Sequence, residues 1–393
     1  MAKSAPALVK PELLTWARES AGLSREKAAS LAKIHELTLE EWEVGHVVPT
    51  IVDLRKLGEI YKRPIAVFFL PSPPRRFDAQ REFRRLAGIM PGKETSKLLL
   101  ALRWAVFRRE AAKEVYRLLG DKPPELASSL DPAVDVEEGG AEIRKLLGID
   151  WETQIKWTSP YEALNTWRAA IEARGVLVFQ TSDVALTEMR GTCIPDQPLP
   201  VILLNAKDAP HGRIFSLLHE FTHILYYAAG HRTSRMTGER LPEEQPLEVA
   251  ANAMAAAALL PKEAFTKIAA SYRNAPSGDN EGLKFFAQKV KVSPEVILRR
   301  LVTLNLASES TYRSKREMWG VKQWYVPAPS KGGPPMEIKT VAKDGRGYTR
   351  LVLDAYDQRL INTSNASDFL GVKPRHFPNI RRELSERGAL VES

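Results

Sequence analysis

The stretch "SLLHEFTHILYYAAGH", residues 216–231, holds the side chains best suited to chemistry in this chain. His219 and His223 are four residues apart, so on a helix they differ by about 40° and project from one face. Two imidazoles one turn apart can hold one zinc ion at about 2.0–2.1 Å each. Glu220, offset by about 100°, reaches a water on that ion rather than the ion itself. Zinc lowers the pKa of such a water to about 7, and a neighbouring carboxylate can take its proton and return it to a leaving amine. The plain alternative is an apolar helix that happens to carry two histidines. With 7 histidines in 393 residues, a chance H-E-x-x-H arises in roughly one such chain in a hundred.

A third ligand would strengthen the metal reading. Glu248 opens "EVAANAMAAAALL", a helical segment that Pro261 ends. Two histidines and one carboxylate leave an open coordination position, as catalytic zinc sites do. Asn252, four residues on, shares the face of Glu248 and can hydrogen-bond a ligand histidine from behind. Ala251, Ala255 and Ala256 allow close approach to the histidine helix. Equally, Glu248 reads as an acidic residue favoured at a helix N-terminus by the macrodipole. On the histidine helix, Tyr226 falls on the histidine side and Ile214, Leu217, Phe221, Ile224 and Leu225 on the other, with Gly230 at the C-cap position. Tyr226, Tyr227, His231 and Arg213 are candidates to polarise a scissile carbonyl, though each also suits an ordinary surface or core position. His211 precedes the helix and is expected to face solvent.

These residues need a scaffold, and the chain is long enough for several domains. A hydrophobic fraction of 44% with 27% charged residues fits a globular protein. Cys193 alone excludes a disulfide framework and a multi-cysteine zinc knuckle, and suits a reducing cytosol. The N-terminus lacks an apolar signal core, and "IAVFFLP" and "AANAMAAAALLP" are too short to cross a bilayer. A cytoplasmic protein with no membrane partner is expected. A net charge of +9 permits nucleic-acid contact, although a solvated basic surface is the commoner cause.

The expected organisation is multidomain and mainly α. Residues 1–70 read as short helices, with Ser24 capping one and Thr38 with Glu41 forming a capping box on the next. Residues 71–130 combine a proline-rich linker with a basic helical connector at about 95–120. Residues 131–310 carry helices, the strand-like "GVLVFQTS" and "LPVILLN", and the histidine helix, an α+β pattern. Residues 311–393 form a small helical module after the break "SKGGPP".

Taken together, "HGRIFSLLHEFTHILYY" and "LEVAANAMAAAALLP" resemble the ImmA/IrrE family of zinc metallopeptidases, over about residues 140–265. The resemblance implies a zincin-like α+β domain with His219, His223 and Glu248 as ligands of zinc, manganese being the substitute, and Glu220 as general base. Met254 stands where the family has Phe, a core exchange of small consequence, and Ala250 replaces a common acidic or amide residue. "GLSREKAASLAKIHELTLEEWEVGHVVPT" resembles an XRE-type helix-turn-helix, with Ala28 at the helix crossing. Such a fold would lay its third helix in the major groove, yet here that helix carries Glu36, Glu40, Glu41 and Glu43, which phosphates oppose. Arg25, Lys27 and Lys33 remain candidate phosphate contacts, and a dimerisation or scaffold role is the alternative. "NTSNASDFLGVKPRHFPNIRRELSERG" has a weaker helix-turn-helix look, basic through Lys373, Arg375, His376, Arg381 and Arg382.

The function this implies is a regulatory zinc endopeptidase that cleaves a partner, a repressor-like transcription factor. The alternative is a non-enzymatic DNA-binding regulator or antitoxin that uses the peptidase fold to hold a toxin. DNA and a second copy of the chain complete the expected partners.

Overall fold

Helix caps and small residues account for most of the local architecture. The computed structural model describes residues 6–7, 9–61, 63, 65–70, 72, 95–231, 244–271, 280–319 and 333–386. Among these the chain divides into two compact units, the first ending at Phe107 and the second beginning at Arg108. The architecture is mainly helical with one small sheet.

The first unit holds α1 (Pro11–Ser20), α2 (Arg25–Ala32), α3 (Glu36–Val44) and α4 (Ile51–Tyr61). The Ser24 hydroxyl accepts from the Lys27 amide at 3.2 Å and starts α2 as its residue type requires. Gly45 ends α3 at φ 82°, a conformation that costs glycine little. The capping box expected at Thr38 is not formed. α3 starts three residues earlier, capped by His35, whose ring accepts from the Leu37 amide. Leu14, Ala17, Leu39, Trp42, Leu54 and Leu57 share a core with Ala28 and Ala29, whose small side chains suit helices in close contact. Beside it Arg18 pairs with buried Glu43 through two hydrogen bonds, of 2.7 and 3.1 Å. That fork geometry satisfies both carboxylate oxygens of a group that burial would otherwise penalise. Arg25 adds a third contact to Glu43 at 3.3 Å and a bond to Glu40 at 2.9 Å.

The division between the units falls inside α5 (Ser96–Leu119), a single helix over the basic stretch expected to be helical. The second unit then runs through α6 (Val136–Leu147), α7 (Trp151–Gln154) and α8 (Pro160–Glu172). The segment between α5 and α6 has the composition of a linker, yet it buries Leu126 and Leu130 in the core of this unit. Three strands follow: β1 (Leu177–Thr181), β2 (Gly191–Ile194) and β3 (Val201–Asn205), in the order β1-β3-β2. β1 runs parallel to β3 and β2 antiparallel to it, with Gly191 opposite Leu204 and Cys193 opposite Ile202. β1 and β3 match the two expected strands. β2 was not expected, because "GTCI" is too short to show a period.

Next come α9 (Pro210–Ala228) and α10 (Glu244–Leu259), then α11 (Lys262–Ser271), α12 (Asn280–Val290), α13 (Pro294–Thr303) and α14 (Glu309–Trp319). α10 lies so near α6 that a Cβ on Gly139 or Gly140 would meet Met254 or Ala257 at 2.7 or 2.6 Å. Glycine is what admits this approach. The unit closes with α15 (Met336–Asp344), α16 (Arg346–Asp357), α17 (Thr363–Leu370) and α18 (Phe377–Glu386). These dock on β1. Tyr348 sets its ring edge-on to Phe179 at 5.4 Å, and the Ala342 carbonyl accepts from Arg168 at 2.6 Å and Gln180 at 2.7 Å. No helix among the described residues is long and apolar enough to cross a membrane.

Candidate metal centre

α9 begins at Pro210, whose fixed φ and missing N–H suit the first helical position. Its middle turns are buried nearly all round. Leu217, Leu218, Phe221, Ile224 and Leu225 are inaccessible or almost so, and Glu220 and His223 are buried with them. The expectation that the histidines lie on the less apolar side of the helix is therefore too simple, since α8, α10, β2 and β3 all pack against α9. His219 keeps part of its surface accessible.

His219 and His223 turn their Nε2 atoms toward each other at 3.1 Å. Glu248, on α10, places its carboxylate 3.7 Å from His219 Nε2 and 3.4 Å from His223 Nε2. The helix of Glu248 starts one turn earlier than expected, at Glu244, so Glu248 is an internal helix residue rather than the opening one. This weakens the reading of Glu248 as a helix-terminal charge, whose benefit fades beyond the first turn. Ala251 and Ala255 are fully buried on α10, and their size permits its contact with α9.

These donors suit a divalent ion. Two neutral imidazoles and one carboxylate, at about 2.0–2.2 Å from a tetrahedral zinc, would stand roughly 3.3–3.5 Å from one another. The three separations here, 3.1, 3.4 and 3.7 Å, bracket that range. His219, His223 and Glu248 form a group that could hold a metal ion, with one ligand atom from each all within 4.8 Å of one another.

Glu220 is not among the three donors and lies against the edge strand β2. A Cβ on Gly191 would lie 3.3 Å from its Cγ and 3.5 Å from its Oε1. Cys193, two residues along the same strand, is buried close enough to Glu220 to feel its carboxylate. Burial and that carboxylate hold the Cys193 pKa well above its usual value, so the thiol stays protonated. Gly191 was not singled out from the sequence, and Cys193 was read only as a lone cysteine, because no local pattern places either beside Glu220.

The other expected groups are engaged away from the three donors. The Tyr226 hydroxyl donates to Met254 Sδ at 3.0 Å, which gives the Met in place of Phe a polar contact. The Tyr227 hydroxyl donates to Asp196 at 2.9 Å, and Arg213 donates to Gln180 on β1 at 2.5 Å. His231 lies 3.7 Å from Asp131. Asn252 is exposed and makes no hydrogen bond to either histidine, so the expected backing contact is absent among the described residues. His211 stands inside the first turn of α9 rather than before it. It is partly buried, and burial with nearby Lys291 lowers its pKa to about 4, so it is neutral at pH 7.

With this geometry in place, comparison with known proteins adds one finding. Residues 171–302 match the family model of the IrrE N-terminal-like domain, Peptidase_M78. The matched stretch contains all three strands, α9 and α10, and it supports a peptidase of the metallopeptidase kind. No curated protein matches the chain.

Proposed function

We propose that the chain is a zinc-dependent regulatory endopeptidase that cleaves a partner protein, a repressor-like transcription factor, and that α1–α4 form a helix-turn-helix module coupled to it. The observation that carries the peptidase reading is the convergence of His219, His223 and Glu248, with Glu220 buried beside them and outside the donor set. A zinc ion held by those three side chains supplies Lewis acidity toward a carbonyl and acidifies a water. The chain's own work is proton transfer. Glu220 accepts the proton of the attacking water as its oxygen bonds to the peptide carbon. The same carboxyl group then delivers a proton to the amide nitrogen as the C–N bond breaks. β2 walls in Glu220, with Gly191 leaving room for its side chain.

That role for Gly191 has a consequence. Gly191→Ala keeps an ordinary backbone conformation but sets a methyl 3.2 Å from Ser216 Cβ and 3.3 Å from Glu220 Cγ. Glu220 must shift by a few tenths of an ångström. Peptide hydrolysis is expected to fall on the order of 10-fold, while zinc content stays that of the wild type. An unchanged rate would show that Glu220 has slack at this wall.

The test of the function itself uses Glu220→Gln as a trap. A partner is recovered on this variant and then incubated with wild-type protein, with and without a chelator. An endopeptidase gives two fragments from one cut, and none in the chelated control. An intact partner held equally well by both proteins would replace the enzyme with a binding regulator of toxin–antitoxin type.

A further inference from the structure

Of the thirteen large hydrophobic side chains that remain exposed among the described residues, six fall between Leu31 and Val52. On α3, Leu37, Glu41 and Val44 recur at i, i+4 and i+7 and so share one stripe. Leu37 is 60% exposed and Val44 52%. At Gly45 the chain turns back, and the amides of His46 and Val47 both donate to the Glu41 carbonyl, at 2.9 and 3.3 Å. Those bonds fix the backbone of Val47 just beyond the end of α3, where Val47 and Val48 are 44% and 43% exposed. Exposed apolar side chains grouped in this way and interleaved with charged ones mark an interaction site.

Charge selects the kind of partner. Glu36 and Glu41 are exposed on α3, and the helix has no lysine or arginine. Among the described residues of α1–α3, Arg18 and Arg25 are committed to Glu43 and Glu40, and Lys27 and Lys33 stand on α2 and its cap. Reading a duplex needs cations for phosphates and hydrogen-bond donors for base edges. This face offers carboxylates and aliphatic groups instead. A partner with apolar side chains flanked by lysine or arginine meets both features.

We propose that this face of α3 docks a basic amphipathic segment of a partner protein. Apolar side chains cover Leu37, Val44, Val47 and Val48, while lysines or arginines face Glu36 and Glu41.

The full-length protein tests this by fluorescence anisotropy with three labelled probes: a leucine–lysine amphipathic peptide, its leucine–glutamate counterpart, and a random-sequence DNA duplex. The wild type should bind the leucine–lysine peptide in preference to the other two. The triple variant Leu37→Ser, Val44→Ser, Val47→Ser should weaken that binding at least about 10-fold. The variant Glu36→Lys, Glu41→Lys should weaken it similarly and remove most of its salt dependence. If the triple variant loses helical circular dichroism, the charge reversal alone decides. The docking site is overturned if the charge reversal binds the peptide like the wild type, or if the wild type prefers the duplex. None of these readings requires peptidase activity, so the outcome stands apart from that of the cleavage experiment.

Discussion

Replacing Glu220 by glutamine should abolish peptide hydrolysis while the protein keeps its zinc and its stability. The amide has nearly the shape of the carboxylate, so a buried side chain hemmed in by Ser216, Gly191 and Cys193 can be exchanged with little repacking. What changes is basicity. An amide oxygen does not take a proton near neutral pH, and general-base assistance contributes about 10²–10⁴-fold to a rate. Elemental analysis, thermal melting and a fragment assay on the same preparation separate the possibilities. Loss of zinc would make Glu220 a ligand or a support for one. Cleavage near the wild-type rate would place the base on another residue.

Removing a donor should have the opposite signature. His219→Ala and Glu248→Ala are each expected to lose most of the bound metal, because two remaining donors cannot close the arrangement that three make here. The loss should exceed the roughly 10–100-fold in affinity typical of removing a group that only backs a ligand. It should also appear in stability. An ion that binds only the folded chain adds about 4 kcal/mol when present at roughly a thousand times its dissociation constant. Zinc should therefore raise the melting temperature of the wild type and leave that of either variant nearly unchanged. Glu248→Gln, which keeps the side chain's size at a buried position, guards against a misfolded alanine variant. If all three variants retain full zinc and respond to it, the ion sits elsewhere.

Much of the scaffold was legible locally because local physics builds it. Ser24 caps α2, Gly45 ends α3, and the apolar runs at 177–181 and 201–205 become strands paired in register. The spacing of His219 and His223 puts them on one helix face whatever surrounds the helix. Failures of the local reading have local causes too. His35 displaced Thr38 as the cap of α3, since either side chain can accept an amide there and the fold chose where the helix starts. Glu43, which looked like a charge facing DNA, is buried on Arg18. A helix pattern shows that a carboxylate is present but not which way the domain turns it.

The sequence by itself determined the chemical types at the centre, the helix that carries two of them, and the alanines that let a second helix come close. Only the tertiary structure decided that Glu248 reaches within 3.4–3.7 Å of both imidazoles. It alone brought Gly191 and Cys193 on β2 against Glu220, and turned Tyr226, Tyr227 and Arg213 to other partners. The reason is range. Caps, turns and helix faces depend on neighbours within about four residues, whereas Cys193 and Glu220 meet only because β2 pairs with β3 and α9 packs across the strands. Such contacts depend on the burial of many distant side chains at once, and no short pattern in the chain records them.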